Sequence, residues 1–362
     1  MKILMFNWRD IRHPEHGGAE VLTHEIARRL VAEGHEFTLF ASAFPNCKKR
    51  EVVDGVQIIR DGGRYSVYWR AFLYYQKEFC GKFDVVIDQI NTVPFFTPLF
   101  AKEKKFVLIH QLCREIWFYE KPLPIAIIGY LLEPLWLVLY RNTPTITVSN
   151  STKKDLEFYG FKKISVIPEG INFKSLEKVP AKEPNTFIFV GRLVSSKRPE
   201  HAIQAIALAK QQAPDIKLWI VGSGTETCTQ KLKSLAKSNN IEQNVVFWGR
   251  VSQEKRNELM SKSQAILVTS VREGWGLIVT ETNACGTCAI GYDIRGLRDS
   301  IQNSKTGILT EPDPQSLANA IIQFLGNEKT KAQLTQNAFE DSKKYNWENS
   351  YNEFKKIVSE YT

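Results

Sequence analysis

Short apolar runs alternate with amphipathic stretches along almost the whole chain. KILMF (2–6) reads as a strand, and AEVLTHEIARRLVAEG (19–34) then puts Val21, Leu22, Ile26, Leu30 and Val31 on one helical stripe. FTLFA (37–41), VQIIR (56–60), DVVID (84–88), KFVLI (105–109) and TITVS (145–149) continue the strand-like runs, with helical patterns between most of them. The alternation pauses at KSLEKVPAKEPN (174–185), which is polar, proline-bearing and without apolar period, as a linker would be. It restarts with TFIFV (186–190), a helix over 198–212, IKLWIV (216–221), a helix from about 226 and NVVFW (244–248). A helix over 253–261, AILVT (265–269), a helix over 277–284 and TCAIG (287–291) follow, then helices at 313–326 and 328–344. WENSYNEFKKIVSEY (347–361) closes with Trp347, Tyr351, Phe354 and Val358 on one stripe.

Strands alternating with helices predict parallel sheets covered on both faces. The pattern therefore predicts an α/β chain of two doubly wound, Rossmann-like units in series, 1–173 and 186–346, joined by 174–185. In such sheets ligands bind beyond the carboxyl ends of the strands, so two facing units would share a cleft. The length of 362 residues also suits about two domains. A hydrophobic fraction of 43% excludes disorder. The net charge of +9 is spread over both halves rather than gathered in a basic tail. That distribution argues against nucleic acid and suits anionic substrates or transient contact with a membrane surface.

Two apolar stretches resist simple assignment. PIAIIGYLLEPLWLVLY (124–140) is interrupted by Glu133 and Pro134, which suits a buried helix pair or an interfacial face better than a membrane span. YSVYWRAFLYY (65–75) and the 116–140 region could form a surface for a substrate, dock on a membrane, or be core helices. Six scattered cysteines and no apolar leader before the first strand give reduced thiols and a cytoplasmic protein as the expectation. The Cys285-x-x-Cys288 pair has no second pair and no suitably spaced histidines, and NACGTCAIG reads as a helix-to-strand turn.

Chemistry concentrates in three places. Gly17-Gly18-Ala19-Glu20 precedes the first long helix, where backbone amides could approach an anion, or simply turn the chain. It is not the G-x-G-x-x-G fingerprint of a dinucleotide fold. Arg192 and Lys197 flank the loop after TFIFV; they could converge on a diphosphate or be solvated surface charges. In SVREGWGLIVTETNACG (270–286), Glu273 falls in a loop ahead of a helix starting near Gly276, and Glu281 at least a turn inside it. One carboxylate could accept from sugar hydroxyls and the other from a ribose; otherwise they are an acid at a helix amino terminus and an exposed helical glutamate.

GGAE, GRLVSSK (191–197) and EGWGLIVTE (273–281) together resemble the retaining glycosyltransferases of family four, with the GT-B fold. VSNSTKKDL (148–156), VIPEGIN (166–172), VGSG (221–224), FWGRV (247–251) and FLGNEKTKAQLTQNA (324–338) extend the resemblance over nearly the whole chain, in order. The resemblance implies an acceptor-side first domain, a nucleotide-sugar-binding second domain, and a last helix (347–362) crossing back onto the first. It implies that Arg192 and Lys197 bind the donor diphosphate and that Glu281 holds the ribose. Glu273 and the amides of Gly274, Trp275, Gly276, Leu277 and Ile278 would hold the donor sugar and phosphates. Gly17 and Gly18 would approach the diphosphate, His110 the sugar, and Arg250 would lie by the nucleobase. Cys288 stands where the family usually has proline, which affects a turn detail only.

The resemblance further implies a bacterial type of enzyme that assembles polysaccharide or glycolipid. UDP-glucose comes first as donor because UDP-sugars are the family's commonest, and GDP-mannose second. The acceptor would be a glycan or a lipid-linked sugar. The sequence has no Asp-x-Asp, and His13 and His16 lack the i, i+4 spacing of a zinc pair, so no metal or other cofactor is expected. Arg192 and Lys197 would then do electrostatically what a divalent cation does elsewhere. An oxidoreductase would need the missing dinucleotide fingerprint. A sugar-nucleotide epimerase on a similar fold, or a silent binding subunit, are the other readings.

Overall fold

The computed structural model describes residues 1–171 and 178–361. The described chain divides into two compact units. The first holds Met1–Arg114, Pro124–Gly170 and the chain from Asn346 onward. The second holds Ile171–Tyr345 and also takes in Glu115–Leu123, a segment that the sequence pattern does not set apart from its neighbours.

In the first unit the strands are β1 (Lys2–Phe6), β2 (Glu36–Ala41), β3 (Arg50–Val53), β4 (Val56–Arg60), β5 (Val85–Ile90), β6 (Lys104–Ile109), β7 (Thr145–Thr147) and β8 (Ile164–Val166). They form one sheet in the order β3-β4-β2-β1-β5-β6-β7-β8. All neighbours are parallel except β3, which pairs antiparallel with β4 through the Asp54-Gly55 turn. Both turn residues have positive φ (51° and 82°), the conformation that Asp-Gly supplies in two-residue hairpins. The hydrophobic pattern passes over β3; the Asp-Gly dipeptide was the signal for it.

Helix α1 (Gly18–Ala32) carries the stripe read from the sequence, with Leu22, Ile26, Ala27 and Leu30 buried. Helix α2 (Val67–Tyr74) packs Val67, Ala71 and Tyr74 against Leu4, Phe6, Phe40 and Val86. A five-residue helix, α3 (Ile116–Glu120), belongs to the second unit, and α4 (Leu123–Leu137) follows it. The stretch around Glu133 and Pro134 is thus one continuous α-helix rather than a helix pair, and most of it is exposed. Its carboxyl end is pinned where the Tyr140 hydroxyl donates to Asp88 at 2.5 Å. Burial raises the Asp88 carboxyl above its usual range. Helix α5 (Asn150–Phe158) starts on a Ser149 cap that accepts from Thr152 N.

The second unit contains β9 (Thr186–Val190), β10 (Lys217–Val221), β11 (Val245–Gly249), β12 (Ala265–Val268), β13 (Cys288–Tyr292) and β14 (Gly307–Thr310). Its sheet is fully parallel, ordered β11-β10-β9-β12-β13-β14. Phe187, Leu218, Leu267 and Ile290 face one core while Ile188, Val221, Ile266 and Ala289 face the other. This is the two-sided burial that near-continuous apolar strands dictate. Helices α6 (Pro199–Ala209), α7 (Glu226–Ser238), α8 (Gln253–Lys262), α9 (Leu277–Ala284), α10 (Leu297–Ser300), α11 (Pro314–Leu325) and α12 (Glu328–Ser342) surround it. The short strands β8 and β14 also escaped the sequence pattern, because each has few apolar residues to register a run.

The last helix, α13 (Trp347–Tyr361), lies against α1 within the first unit. Arg29 donates to Glu348 at 2.7 Å, Lys355 reaches Glu33 at 3.0 Å, and Ser350 Oγ donates to Pro168 O at 2.6 Å. Of the expected linker, 174–177 lie outside the described residues, as do Asn172 and Phe173. Its distal end is fastened to the second unit, where Glu183 N donates to Lys262 O at 2.7 Å.

Candidate active site

In the second sheet, β9 has its sequence successor β10 on one side and β12 on the other. Here the strand order reverses, and the crevice beyond the carboxyl ends is where open α/β sheets take ligands. The loop after β9 bears Arg192 and Lys197; the loop after β12 bears Ser270 and Glu273. The structure joins these loops. Lys197 forms an ion pair with Glu273, and Ser270 Oγ donates to the same Glu273 Oε1 at 2.6 Å. Val271 N donates to Ser196 O at 2.9 Å. Arg198, almost wholly buried and at φ 47°, donates to Thr269 O and Ser270 O, each at 2.8 Å.

Arg198 and Ser270 were not singled out by sequence reasoning. An arginine beside Lys197 reads as one more surface cation, and only the folded loops reveal what it clamps. Arg192 is exposed, and among the described residues its guanidinium has no hydrogen-bond or ion-pair partner.

Two glycines permit this closeness. Gly222 follows β10 at φ 137°, and a Cβ there would lie 1.8 Å from Gly191 O, so no side chain fits beside the start of the Arg192 loop. Gly296 sits at φ 85°, where a Cβ would lie 2.2 Å from Glu273 O. Glu273 N in turn donates to Arg295 O at 3.2 Å.

Helix α9 begins at Leu277 with Gly276 as its cap. Leu277 and Ile278 open the helix, and their N–H groups have no intrahelical acceptor. Glu281 lies just over one turn in and pairs with Arg256 of α8 at 3.1 Å. Trp275 is nearly buried with its ring edge-on to Tyr345 at 5.3 Å. Arg250 is exposed just after β11, an edge strand of the sheet.

The remaining sequence candidates belong to the first unit. Gly17 N donates to Glu20 Oε2 at 2.7 Å, half of a capping box, and Arg9 Nε reaches Glu20 Oε1 at 3.3 Å. The Gly17 amide is thus occupied by the chain's own carboxylate, and among the described residues the Gly18 amide at the start of α1 has no such partner. His110 directly follows β6 with its ring nearly buried. Its Nε2 lies 3.0 Å from Gln89 Nε2 and its Nδ1 3.4 Å from Glu169 Oε1. Gln89 Oε1 already accepts from Thr23 Oγ1 at 2.7 Å, so Gln89 donates to Nε2 and the Nδ1 proton faces Glu169. Asn91 Nδ2 donates to Asn7 Oδ1 at 2.8 Å across the ends of β5 and β1. The buried Asn7 Nδ2 is left without a partner among the described residues.

Cys285 and Cys288 are both buried and free. Burial pushes their thiols up to about 12 and about 11, the opposite of what thiolate chemistry requires.

The sequence matches "Glycosyl transferases group 1" over residues 172–341 and "Glycosyltransferase Family 4" over residues 16–175. The chain belongs to family four of the GT-B glycosyltransferases. A curated relative, the N-acetyl-alpha-D-glucosaminyl L-malate synthase of Bacillus anthracis, is 34% identical over 177 residues, 48% of this chain and 43% of that one. The chain spans less than half the length of the first curated relatives it matches. Among solved structures, sucrose-phosphate synthase of Thermosynechococcus elongatus superposes with a TM-score of 0.81 at 20% identity, covering 99% of this chain and 98% of that one. HepE of Anabaena, in complex with UDP and glucose, superposes with a TM-score of 0.77 at 17% identity, covering 99% and 100%. These likenesses establish the GT-B fold.

Proposed function

We propose that the chain is a retaining, metal-independent hexosyltransferase. It moves a sugar from a nucleotide diphosphate donor, UDP-glucose ahead of GDP-mannose, to a glycan or lipid-linked acceptor in polysaccharide or glycolipid assembly. The observation that supports this most is the convergence of Lys197, Glu273 and Ser270 at the reversal point of the second sheet, with Arg192 exposed beside them. A cation pair beside the open amides of α9 suits a diphosphate. The complex of HepE with UDP and glucose supports a UDP-linked donor.

In this reading Arg192 and Lys197 face the diphosphate, the amides from Gly274 to Ile278 face the phosphates and sugar, and Glu281 accepts from the ribose hydroxyls. Glu273 holds Lys197 in place and accepts from sugar hydroxyls once the donor is present. Arg250 stands by the nucleobase. In the first unit, His110 and the Gly17–Gly18 turn are proposed as donor-facing, with the Gly18 amide the free one of the pair.

The anomeric carbon–phosphate oxygen bond breaks through an oxocarbenium-like state. Negative charge grows on the departing diphosphate, where preorganised cations and amides are worth most. The acceptor hydroxyl attacks from the same face, and its proton passes to the departing phosphate oxygen. One nucleoside diphosphate and one new glycosidic bond result. The reading includes a cytoplasmic location and contact with a membrane surface.

The test is a thermal-shift panel with UDP, GDP, ADP and NAD on the wild type and Glu281→Ala. A ligand at a hundred times its dissociation constant stabilises the fold by about 2.7 kcal/mol. A UDP shift that shrinks in the variant is expected. A shift with NAD alone, or none at all, overturns the proposal.

A further inference from the structure

Helix α4 is built inside out. Of the residues turned toward the protein, Ala126 and Gly129 are small, Glu133 is charged and 3% exposed, and only Leu137 at the carboxyl end is a large aliphatic. The Glu133 carboxylate accepts from Cys113 N at 2.6 Å and Arg114 N at 2.8 Å, so its charge is held by the preceding loop. The other leucines and isoleucines of the helix point the other way. Leu123, Ile128, Leu131 and Leu135 are 64%, 57%, 63% and 64% exposed, with Ile125 and Leu132 beside them. Glu133 is the only charge in 123–140, and it faces inward, so the outer face bears none. Core helices of soluble proteins show the reverse pattern. Exposed apolar surface of this extent marks an interaction site.

The surroundings of this face indicate its occupant. After Tyr140 the chain turns into β7, so α4 ends where β6, β7 and β8 begin. Lys104, Arg141, Lys162 and Lys163 stand at that end. On β5, Val86 packs with α2, Asp88 holds Tyr140, and Ile90 packs with Leu137 of α4. Alternate residues of a strand share a face, so α2 and α4 lie on the same side of the sheet. Trp69 of α2 is 63% exposed there, the residue type that favours the boundary between headgroups and acyl chains.

We infer that the outer face of α4 docks on an anionic lipid bilayer, lying in the plane of the interface with its apolar side among the acyl chains and the lysine–arginine cluster over the headgroups. The helix does not span: its inner stripe stays packed on the protein through Glu133, Leu137 and Tyr140. A second copy would present the same apolar face, which carries no carboxylate to neutralise these cations. An anionic leaflet neutralises them.

The inference refines the proposed membrane contact and is independent of sugar transfer, because its test reads binding alone. The full chain is sedimented with phosphatidylcholine vesicles with and without phosphatidylglycerol, and its mass is measured by light scattering without lipid. The wild type is expected to sediment with the anionic vesicles as a monomeric protein. The triple variant Ile128→Ser, Leu131→Ser, Leu135→Ser is expected to bind at least about tenfold less while melting no lower, since it removes only outward-facing side chains. Lys162→Glu with Lys163→Glu is expected to weaken binding to anionic vesicles alone. Wild type that stays in the supernatant, binding that ignores phosphatidylglycerol, or a dimer dissolved by the triple substitution each overturns the inference. Sugar transfer by a protein that ignores vesicles would sink the surface and leave the proposed reaction standing.

Discussion

Lys197 and Glu273 form an ion pair between loops whose residues are 76 apart in sequence, and Ser270 donates to the same carboxylate oxygen. Both side chains are partly exposed, so the pair adds little to stability. Its consequence is positional: the chain's own carboxylate holds the ammonium at the carboxyl ends of β9 and β12. Lys197→Ala is expected to lower turnover on UDP-glucose by about a hundredfold or more, the usual cost of removing one preorganised charge-stabilising group. The melting temperature should hardly move. Unchanged turnover would place the diphosphate elsewhere.

Glu281 pairs with Arg256 at 3.1 Å. If it also accepts from ribose hydroxyls, Glu281→Ala removes charge-assisted hydrogen bonds. The dissociation constant for UDP should then rise roughly tenfold or more. Turnover at saturating donor should change far less. Calorimetric titration with UDP decides this, and an unaltered affinity would leave Glu281 a structural role within the second unit.

Gly296 and Gly34 separate backbone strain from steric conflict. Their φ values are nearly equal at 85° and 87°, but nothing lies within 4 Å of a Cβ at Gly34, whereas one at Gly296 would meet Glu273 O at 2.2 Å. Gly34→Ala is expected to cost about 1 kcal/mol of stability with turnover intact. Gly296→Ala must displace the backbone of Glu273, so stability and turnover should fall together. Denaturant melts and initial rates on both variants provide the comparison. Full activity in Gly296→Ala would mean that the position of Glu273 is not critical.

The same contrast explains what was legible in the sequence. Period and alternation revealed the strands and helices because each buries its apolar residues locally against a sheet. EGWGLIVTE and GRLVSSK were legible because their residues lie close in the chain. Gly296 and Arg198 were not, since each acts on a loop brought near only by the parallel order of β9, β12 and β13; Ser270 lies three residues from Glu273, but its donation to that carboxylate depends on how their loop is folded. The inverted face of α4 was legible only in part, as the interfacial alternative. A segment with a single charge has no polar stripe, so its sequence does not tell which face the fold leaves outside.

Metal independence is tested by chelation. Arg192, Lys197 and the amides opening α9 can meet the developing charge by themselves. Turnover on UDP-glucose should therefore persist in excess EDTA. Loss of turnover restored by magnesium or manganese would overturn that part of the proposal.

Lys182 predicts a pH dependence of stability unrelated to turnover. Burial lowers its ammonium from 10.5 to about 8, although Nζ still donates to Ser261 O and Thr287 Oγ1. The nearby thiols of Cys285 and Cys288, pushed up to about 12 and about 11, stay neutral through that window. Between the two lysine values the unfolded chain binds the proton and the folded chain does not, so stability rises with pH. The gain is complete above the unfolded value of 10.5 and is lost as pH falls through about 8. From pH 8 to 9.5 the wild type should gain about 2 kcal/mol relative to Lys182→Met, which has no proton to lose. Urea melts of both proteins across that range measure the difference. Parallel curves would show that Lys182 titrates as an ordinary solvated lysine.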